Sequence, residues 1–318
     1  RSGFVSMDPR NGAVKAYVGG VDFTHFTYDM ATQGRRQVGS TIKPFLYALC
    51  MTNGMSPCDV APNVQRSYGN WTPRNGSKAR YGQMVTLKWG LAQSNNWISA
   101  YLMSRLNPQD FLRILNDFGI NTYGAYPSMV LCLGPNEVSV CEMVSAYTTF
   151  ANHGIHCYPM FVSKIEDNEG NVVATFQPRM NEVISEESAY KMIEMLRAVM
   201  NGGTGSRMRY KYNIECDMGG KTGTTNRNAD AWFMGFTPSL VSGCWVGGED
   251  RDIHFDSTRM GQGANMALPV WAYFMKRVFA DRSLGYDPNE KFDIPEEFNP
   301  CSSEFDDYTP GGIEEVFE

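Results

Sequence analysis

The chain has 318 residues, 42% of them hydrophobic and 19% charged, and a formal net charge of -6. That length buries a sizeable core in one large domain or two subdomains, and the acidic balance argues against a strongly basic nucleic-acid face. The composition is ordinary globular, which excludes disorder throughout, and no apolar run reaches the roughly 18 residues that a membrane span requires.

The chain opens on Arg1 with no charged-then-apolar leader, so it is expected to be a part of a longer protein. Residues 4–8 and 13–18 read as two strands, with Arg10-Asn11-Gly12 as the turn between them. Apolar spacing of three and four then predicts helices over residues 40–50, 86–93, 97–105, 108–118, 136–152 and 185–200. Asn107-Pro108 and Ser185 supply starts, the latter followed by Glu186 and Glu187, and Gly154, Gly202 and Gly203 supply stops. Strand character returns over 161–165 and 172–176, around Asn168-Glu169-Gly170. It continues over 217–224, 231–236 and 240–247, the last two joined by Thr237-Pro238-Ser239. Residues 269–279 read as a final helix. From Asp287 onward the chain is rich in Pro, Asp and Glu.

Strands at both ends with helices between them predict an α+β fold. The first hairpin is expected to pair with the late strands in an antiparallel sheet flanked by helices, beside a mostly helical subdomain. The expected division is a domain over residues 1–284 and an acidic tail or linker over 285–318. None of the eight cysteines forms a C-x-x-C pair. Most are expected to be small buried hydrophobes, with room for one disulfide in an extracytoplasmic protein and its pairing left open.

Three short segments can carry chemistry. In Gly39-Ser40-Thr41-Ile42-Lys43-Pro44, Ser40 opens a helix and Lys43 follows three residues later on the same face. A serine hydroxyl is a weak nucleophile until a base takes its proton, and a desolvated lysine can be that base. Alone, S-x-x-K is common by chance, and Ser188-Ala189-Tyr190-Lys191 also fits it. That copy lies inside a helix without a preceding glycine turn and is expected on a helix surface. Ser94-Asn95-Asn96 follows a helical stretch. A serine can relay a proton there, and an asparagine amide can both donate to and accept from a peptide bond. Gly219-Gly220-Lys221-Thr222-Gly223-Thr224 lies on a strand whose glycines suit close approach by another backbone, such as a substrate along the strand edge. Lys221 and the Thr222 and Thr224 hydroxyls would anchor a carboxylate. The backbone N–H groups of Ser40 and Thr224 would form an oxyanion hole. A phosphate loop is rejected, because the position of its first glycine holds Glu215. Met266 likewise stands where a dinucleotide fingerprint needs its third glycine. His153, His156 and Cys157 lack fuller metal-ligand spacing. No metal and no cofactor is expected.

The order S-x-x-K, S-x-N, K-T-G is far more specific than its parts, and with it the chain resembles the class A penicillin-binding proteins. Met7-Asp8-Pro9-Arg10-Asn11-Gly12 is similar to that family's opening hairpin, and Arg35-Arg36-Gln37-Val38-Gly39-Ser40 to its lead-in to the nucleophile. Residues 146–152, Gly203-Thr204-Gly205 and Asp230-Ala231-Trp232-Phe233 also match, so the resemblance runs from about Phe4 to Phe279. It implies Ser40 as the acylated nucleophile, Lys43 as its base and Ser94 as a proton shuttle. It implies Asn96 as a holder of the substrate amide, and Lys221, Thr222 and Thr224 as carboxylate and strand-edge contacts. Implied partners are peptidoglycan stem peptides and β-lactams, with no nucleic acid. A membrane anchor and a glycosyltransferase domain would lie upstream, on the extracytoplasmic side. The acceptor amine, diaminopimelate or lysine, stays open. A D,D-carboxypeptidase or a serine β-lactamase would share the three motifs, but no E-x-x-x-N segment resembling the β-lactamase deacylation loop lies between the second and third. A non-enzymatic β-lactam sensor is disfavoured by the flanking segments.

Overall fold

The first hairpin turns where the N–H of Gly12 donates to the Asp8 carbonyl and that of Asp8 to the Ala13 carbonyl. Gly12 sits at φ 75°, where a side chain would strike the Tyr158 carbonyl, so glycine is required there. The strands it joins are β1 (Ser2–Met7) and β2 (Val14–Val18). The structure, a computed structural model, describes residues 1–301. Near its C-terminal end come β3 (Gly219–Thr224), β4 (Asp230–Phe236) and β5 (Val241–Gly247). These five strands form one antiparallel sheet in the order β3-β4-β5-β1-β2, with β1 registered on β5 from Ser2 opposite Val246 to Met7 opposite Val241. The expected pairing of the first hairpin with the late strands is what the sheet uses.

The longer helices are α1 (Lys43–Thr52), α2 (Leu87–Ala92), α3 (Asn96–Ser104), α4 (Pro108–Asp117), α5 (Val140–Ala151), α6 (Glu186–Gly202) and α7 (Leu268–Ala280). Their starts are written in polar caps. The Thr86, Asn95, Asn107 and Ser185 side chains accept N–H bonds of the first turns. The expected helix over 136–152 begins later than its apolar spacing indicated. Ser139 and Glu142 form a capping box that fixes the start at Val140, and Glu137–Val138 instead pairs with Arg36–Gln37 as a short ladder.

Alternation along β4 puts helices on both faces of the sheet. Gly235 faces the Trp271 ring of α7, while its neighbour Met234 lies across from Gly243, whose own free space is filled by Met234 and Val144 of α5. Trp232, Trp245 and Trp271 are wholly buried in this sandwich. On the α5 side, α6 lies against β3 and against both α1 and α2. That arrangement is the expected α+β architecture, an antiparallel sheet flanked by helices with a helical part beside it.

The second S-x-x-K is not a helix surface. Ser188 and Lys191 are each 4% exposed, and the Lys191 stem runs along the core to bring its ammonium 2.7 Å from Glu187, one turn back. Residues 285–301, expected as the start of the tail, lie against the domain. Phe292 packs on the Phe236 ring and donates its N–H to Asp217, and Phe298 packs on Tyr190. Cys301 forms a disulfide with Cys58, and the other six cysteines are buried thiols. Residues 302–318 of the expected tail lie outside the described residues. No described helix is long and apolar enough to cross a membrane.

Candidate active site

Ser40 lies in a 3-10 turn, Gly39–Ile42, that runs directly into α1. Three residues per turn eclipse positions i and i+3, so the turn stacks Ser40 over Lys43, and the Lys43 N–H donates to the Ser40 carbonyl. Pro44 falls at the start of α1, where no backbone donor is needed. Ser40 is half-buried at the floor of a groove of about 490 Å³. Lys43 is wholly buried beneath it.

The Lys43 ammonium nitrogen reaches the Ser94 carbonyl at 2.6 Å, Asn96 Oδ1 at 2.6 Å and Ser94 Oγ at 3.4 Å. From the other side Lys221 Nζ donates to Ser94 Oγ at 2.8 Å and to the Thr222 carbonyl at 3.1 Å. Ser94 therefore stands between two buried lysines, 51 residues from one and 127 from the other along the chain. Burial without a counter-ion disfavours both ammonium forms. It pushes Lys43 down to about 7. Lys221 is held well below its ordinary value by burial and then by the charge of Lys43. A neutral Lys43 has two N–H donors, and the Ser94 carbonyl and Asn96 Oδ1 take both. Its lone pair is then left for a proton arriving from a third direction.

Asn96 is oriented by a segment that no sequence motif flagged. Its Nδ2 donates to the Arg74 carbonyl at 2.7 Å and its backbone N–H to Asn75 Oδ1 at 2.8 Å. A carbonyl can only accept, so the amide oxygen must face Lys43.

Ser94 itself has φ 53°, in the left-handed region that costs a non-glycine residue about 1 kcal/mol. Ser94→Gly and Ser94→Ala both remove the hydroxyl but only glycine relieves the backbone. We expect the Gly variant to be more stable than the Ala variant by about 1 kcal/mol. Both should be acylated at least about 100-fold more slowly than wild type. Denaturant titration and acylation rates of the pair check this, and equal stabilities would mean the backbone there is not strained.

The third segment meets the first through glycines. Gly39 has φ 53°, and a side chain on it would lie 2.9 Å from the Thr224 carbonyl; one on Gly223 would lie 2.8 Å from the Val38 carbonyl. Glycine here serves close packing of β3 on the nucleophile turn, beyond the open strand edge foreseen from sequence. It puts the backbones of Ser40 and Thr224 side by side at the sheet edge, since β3 has a sheet neighbour on one side only. The Thr222 hydroxyl is 2.7 Å from that of Thr204, in the stretch just after α6, and the Thr224 hydroxyl accepts the Gly263 N–H at 3.1 Å. Asp230, wholly buried, anchors the lead-in. It accepts from Arg36 at 2.7 Å, from Arg251 at 2.7 Å, from the Trp245 indole and from the Thr225 hydroxyl. Of the three residues weighed as metal ligands, His156 has both ring nitrogens engaged, with Ser145 and Asn181, His153 pairs with Glu186, and the Cys157 thiol donates to the Pro9 carbonyl.

All seven residues singled out from sequence thus gather around one groove and the lysine pair beneath it. The residues that sequence left out are Arg74, Asn75, Thr204, Arg36 and Asp230. Of these, Thr204, Arg36 and Asp230 lay in segments matched only as resemblance.

A model of the penicillin-binding protein transpeptidase domain matches residues 2–242. Penicillin-binding protein 1A of Aquifex aeolicus is 34% identical, over 98% of this chain and 43% of its own length. The protein of the same name from Neisseria meningitidis (strain MC58) is 33% identical, over 86% of this chain and 35% of its own length. The chain therefore spans less than half the length of these curated relatives. Among solved structures, penicillin-binding protein 1A of Haemophilus influenzae superposes with a TM-score of 0.84 at 29% identity, covering 93% of this chain and 49% of that one. PonA1 of Mycobacterium tuberculosis in complex with penicillin V superposes with a TM-score of 0.81 at 26% identity, covering 95% of this chain and 82% of that one.

Proposed function

The chain belongs to the class A penicillin-binding protein transpeptidase family, and from that premise we propose that it is a serine D,D-transpeptidase of peptidoglycan. Ser40 Oγ attacks the carbonyl of the penultimate D-Ala of a D-Ala-D-Ala stem, and neutral Lys43 takes the hydroxyl proton. The oxyanion forms between the N–H groups of Ser40 and Thr224. Ser94 passes a proton to the departing amine, D-Ala leaves, and an ester to Ser40 remains. An acceptor amine on a second stem then attacks this ester, its surplus proton returns by the same relay, and Ser40 is regenerated. A β-lactam acylates the same oxygen by ring opening.

The observation that carries this reading is the relay under Ser40, with Lys43 Nζ and Lys221 Nζ both within 3.4 Å of Ser94 Oγ. The open edge of β3 supports an extended peptide pairing with its backbone, the carboxylate end toward Thr222, Thr224 and buried Lys221. In the longer protein we place this domain on the extracytoplasmic side, downstream of a membrane anchor and a glycosyltransferase domain.

No carboxylate lines the groove among the described residues, which supports slow attack by water and favours transfer over hydrolysis. Labelled penicillin should give one stable mass adduct that persists for many minutes. A thioester donor should release its acyl group faster when a D-amino acid is added as acceptor. An adduct that clears within seconds, with no gain from the amine, would make the chain a hydrolase instead.

A further inference from the structure

Among the described residues lining the groove at Ser40, Arg74 is the one that carries a charge. The others are Gly, Pro, hydroxyl, amide, Trp and aliphatic residues such as Gln37, Trp71, Val130 and Asn226. Its guanidinium takes part in no described hydrogen bond or ion pair, and the side chain is exposed. An arginine held beside an active groove without a counter-ion is unusual on a protein of net charge -6, where carboxylates outnumber cations.

The backbone around it is fixed. The Pro73 carbonyl accepts from Trp97 Nε1 at 3.1 Å and Gln65 Nε2 at 3.1 Å. The Arg74 carbonyl accepts from Asn96 Nδ2 at 2.7 Å. The Asn75 side chain is held between the Asn96 N–H at 2.8 Å and the Ser77 carbonyl at 2.7 Å. Arg74 and Asn75 are thus pinned to the same asparagine that holds Lys43. The Arg74 charge stabilises nothing in the fold, yet its attachment point cannot drift from the reacting atoms. A planar guanidinium offers two parallel donors matched to a carboxylate.

We propose that Arg74 is a specificity residue that selects acyl donors bearing a second carboxylate, on a side group outside the reacting D-Ala-D-Ala end. The inference rests on the reading of this groove as a peptide-acyl site. The terminal carboxylate belongs to the β3 wall, with Thr222, Thr224 and Lys221. Arg74 stands on the Asn96 wall, which reads a different part of the peptide.

The test uses two D-Ala-D-Ala peptides that differ in one group on the preceding residue, a side-chain carboxylate in one and its carboxamide in the other. Acylation of Ser40 by each is followed by mass spectrometry, and the ratio of the two rates is the readout. Wild type should favour the carboxylate peptide about five- to tenfold at low salt, the range of a partly exposed arginine–carboxylate pair, and the preference should shrink in high salt. Arg74→Ala should bring the ratio to about one, Arg74→Glu should invert it, and Arg74→Lys should keep part of it. A wild-type ratio near one, or a preference that survives in Arg74→Ala, overturns the proposal. Failure of both peptides and of penicillin to acylate Ser40 would instead overturn the transpeptidase reading itself.

Discussion

Ser40→Ala should fold as wild type does and take up no penicillin, a loss of acylation of at least ~10⁴-fold. The expectation follows from where the hydroxyl sits. Ser40 is half-buried at the groove floor, its hydroxyl enters no described hydrogen bond, and the turn that holds it is closed by backbone groups and by the Thr41 and Tyr147 hydroxyls. Removing Oγ therefore deletes the nucleophile and little else, and stability should change by no more than about 0.5 kcal/mol. Peptide mapping of wild type should find the adduct on the peptide containing Ser40 and Lys43. An adduct on Ser94, Ser188 or another residue, or one that persists in Ser40→Ala, sinks the assignment.

Lys43→Arg should slow acylation at least ~100-fold, the scale of a lost general base. Arginine keeps the positive charge and the donors but cannot deprotonate near neutral pH. Lys43→Met, close in length and apolar, tests the same role without forcing a guanidinium into a wholly buried site. Wild type carries a matching signature in pH. Burial lowers Lys43 to about 7, and the base is its neutral form. The rate should therefore climb roughly tenfold per unit as pH rises toward 7 and level off above it. Lys221 is likewise held well below its ordinary value, by burial and then by the charge of Lys43. Both variants should lose the inflection. A folded Lys43→Met protein with near-normal acylation would assign the base to another group.

What sequence could show, it showed through local rules. Ser40 and Lys43 lie one turn apart, and helical geometry alone makes them neighbours. The strand at Lys221 and the caps at Asn107 and Ser185 are likewise local statements. The meeting of Ser40, Ser94 and Lys221 was foreseen from the order of the three motifs and the resemblance that order carries. What stayed hidden depends on contacts without a local pattern. Between α1 and α2 the chain has little periodicity, so nothing indicated that Asn75 holds the Asn96 N–H or that Arg74 enters the groove. At its positive φ, Ser94 has its carbonyl accepting from Lys43 and its N–H donating to the Leu91 carbonyl, and serine by itself gives no hint of that conformation. The pairing of Cys58 with Cys301 spans 243 residues and was one of many that eight cysteines allow.

The register of β1 on β5 also sets an order of events during folding. β1 is buried from Gly3 to Met7, yet apart from β2 its partner is a strand some 240 residues further on. A ribosome delivering the chain from its N-terminus exposes this apolar strand long before Val241–Gly247 exists. Until then β1 can form only a two-stranded ribbon with β2, which is marginal in water. Sheet closure must await the last strand, a high-contact-order step that is intrinsically slow. The edge left open meanwhile is a pairing hazard. The groove matures at the same late moment, because β3 reaches Ser40 only as this sheet closes.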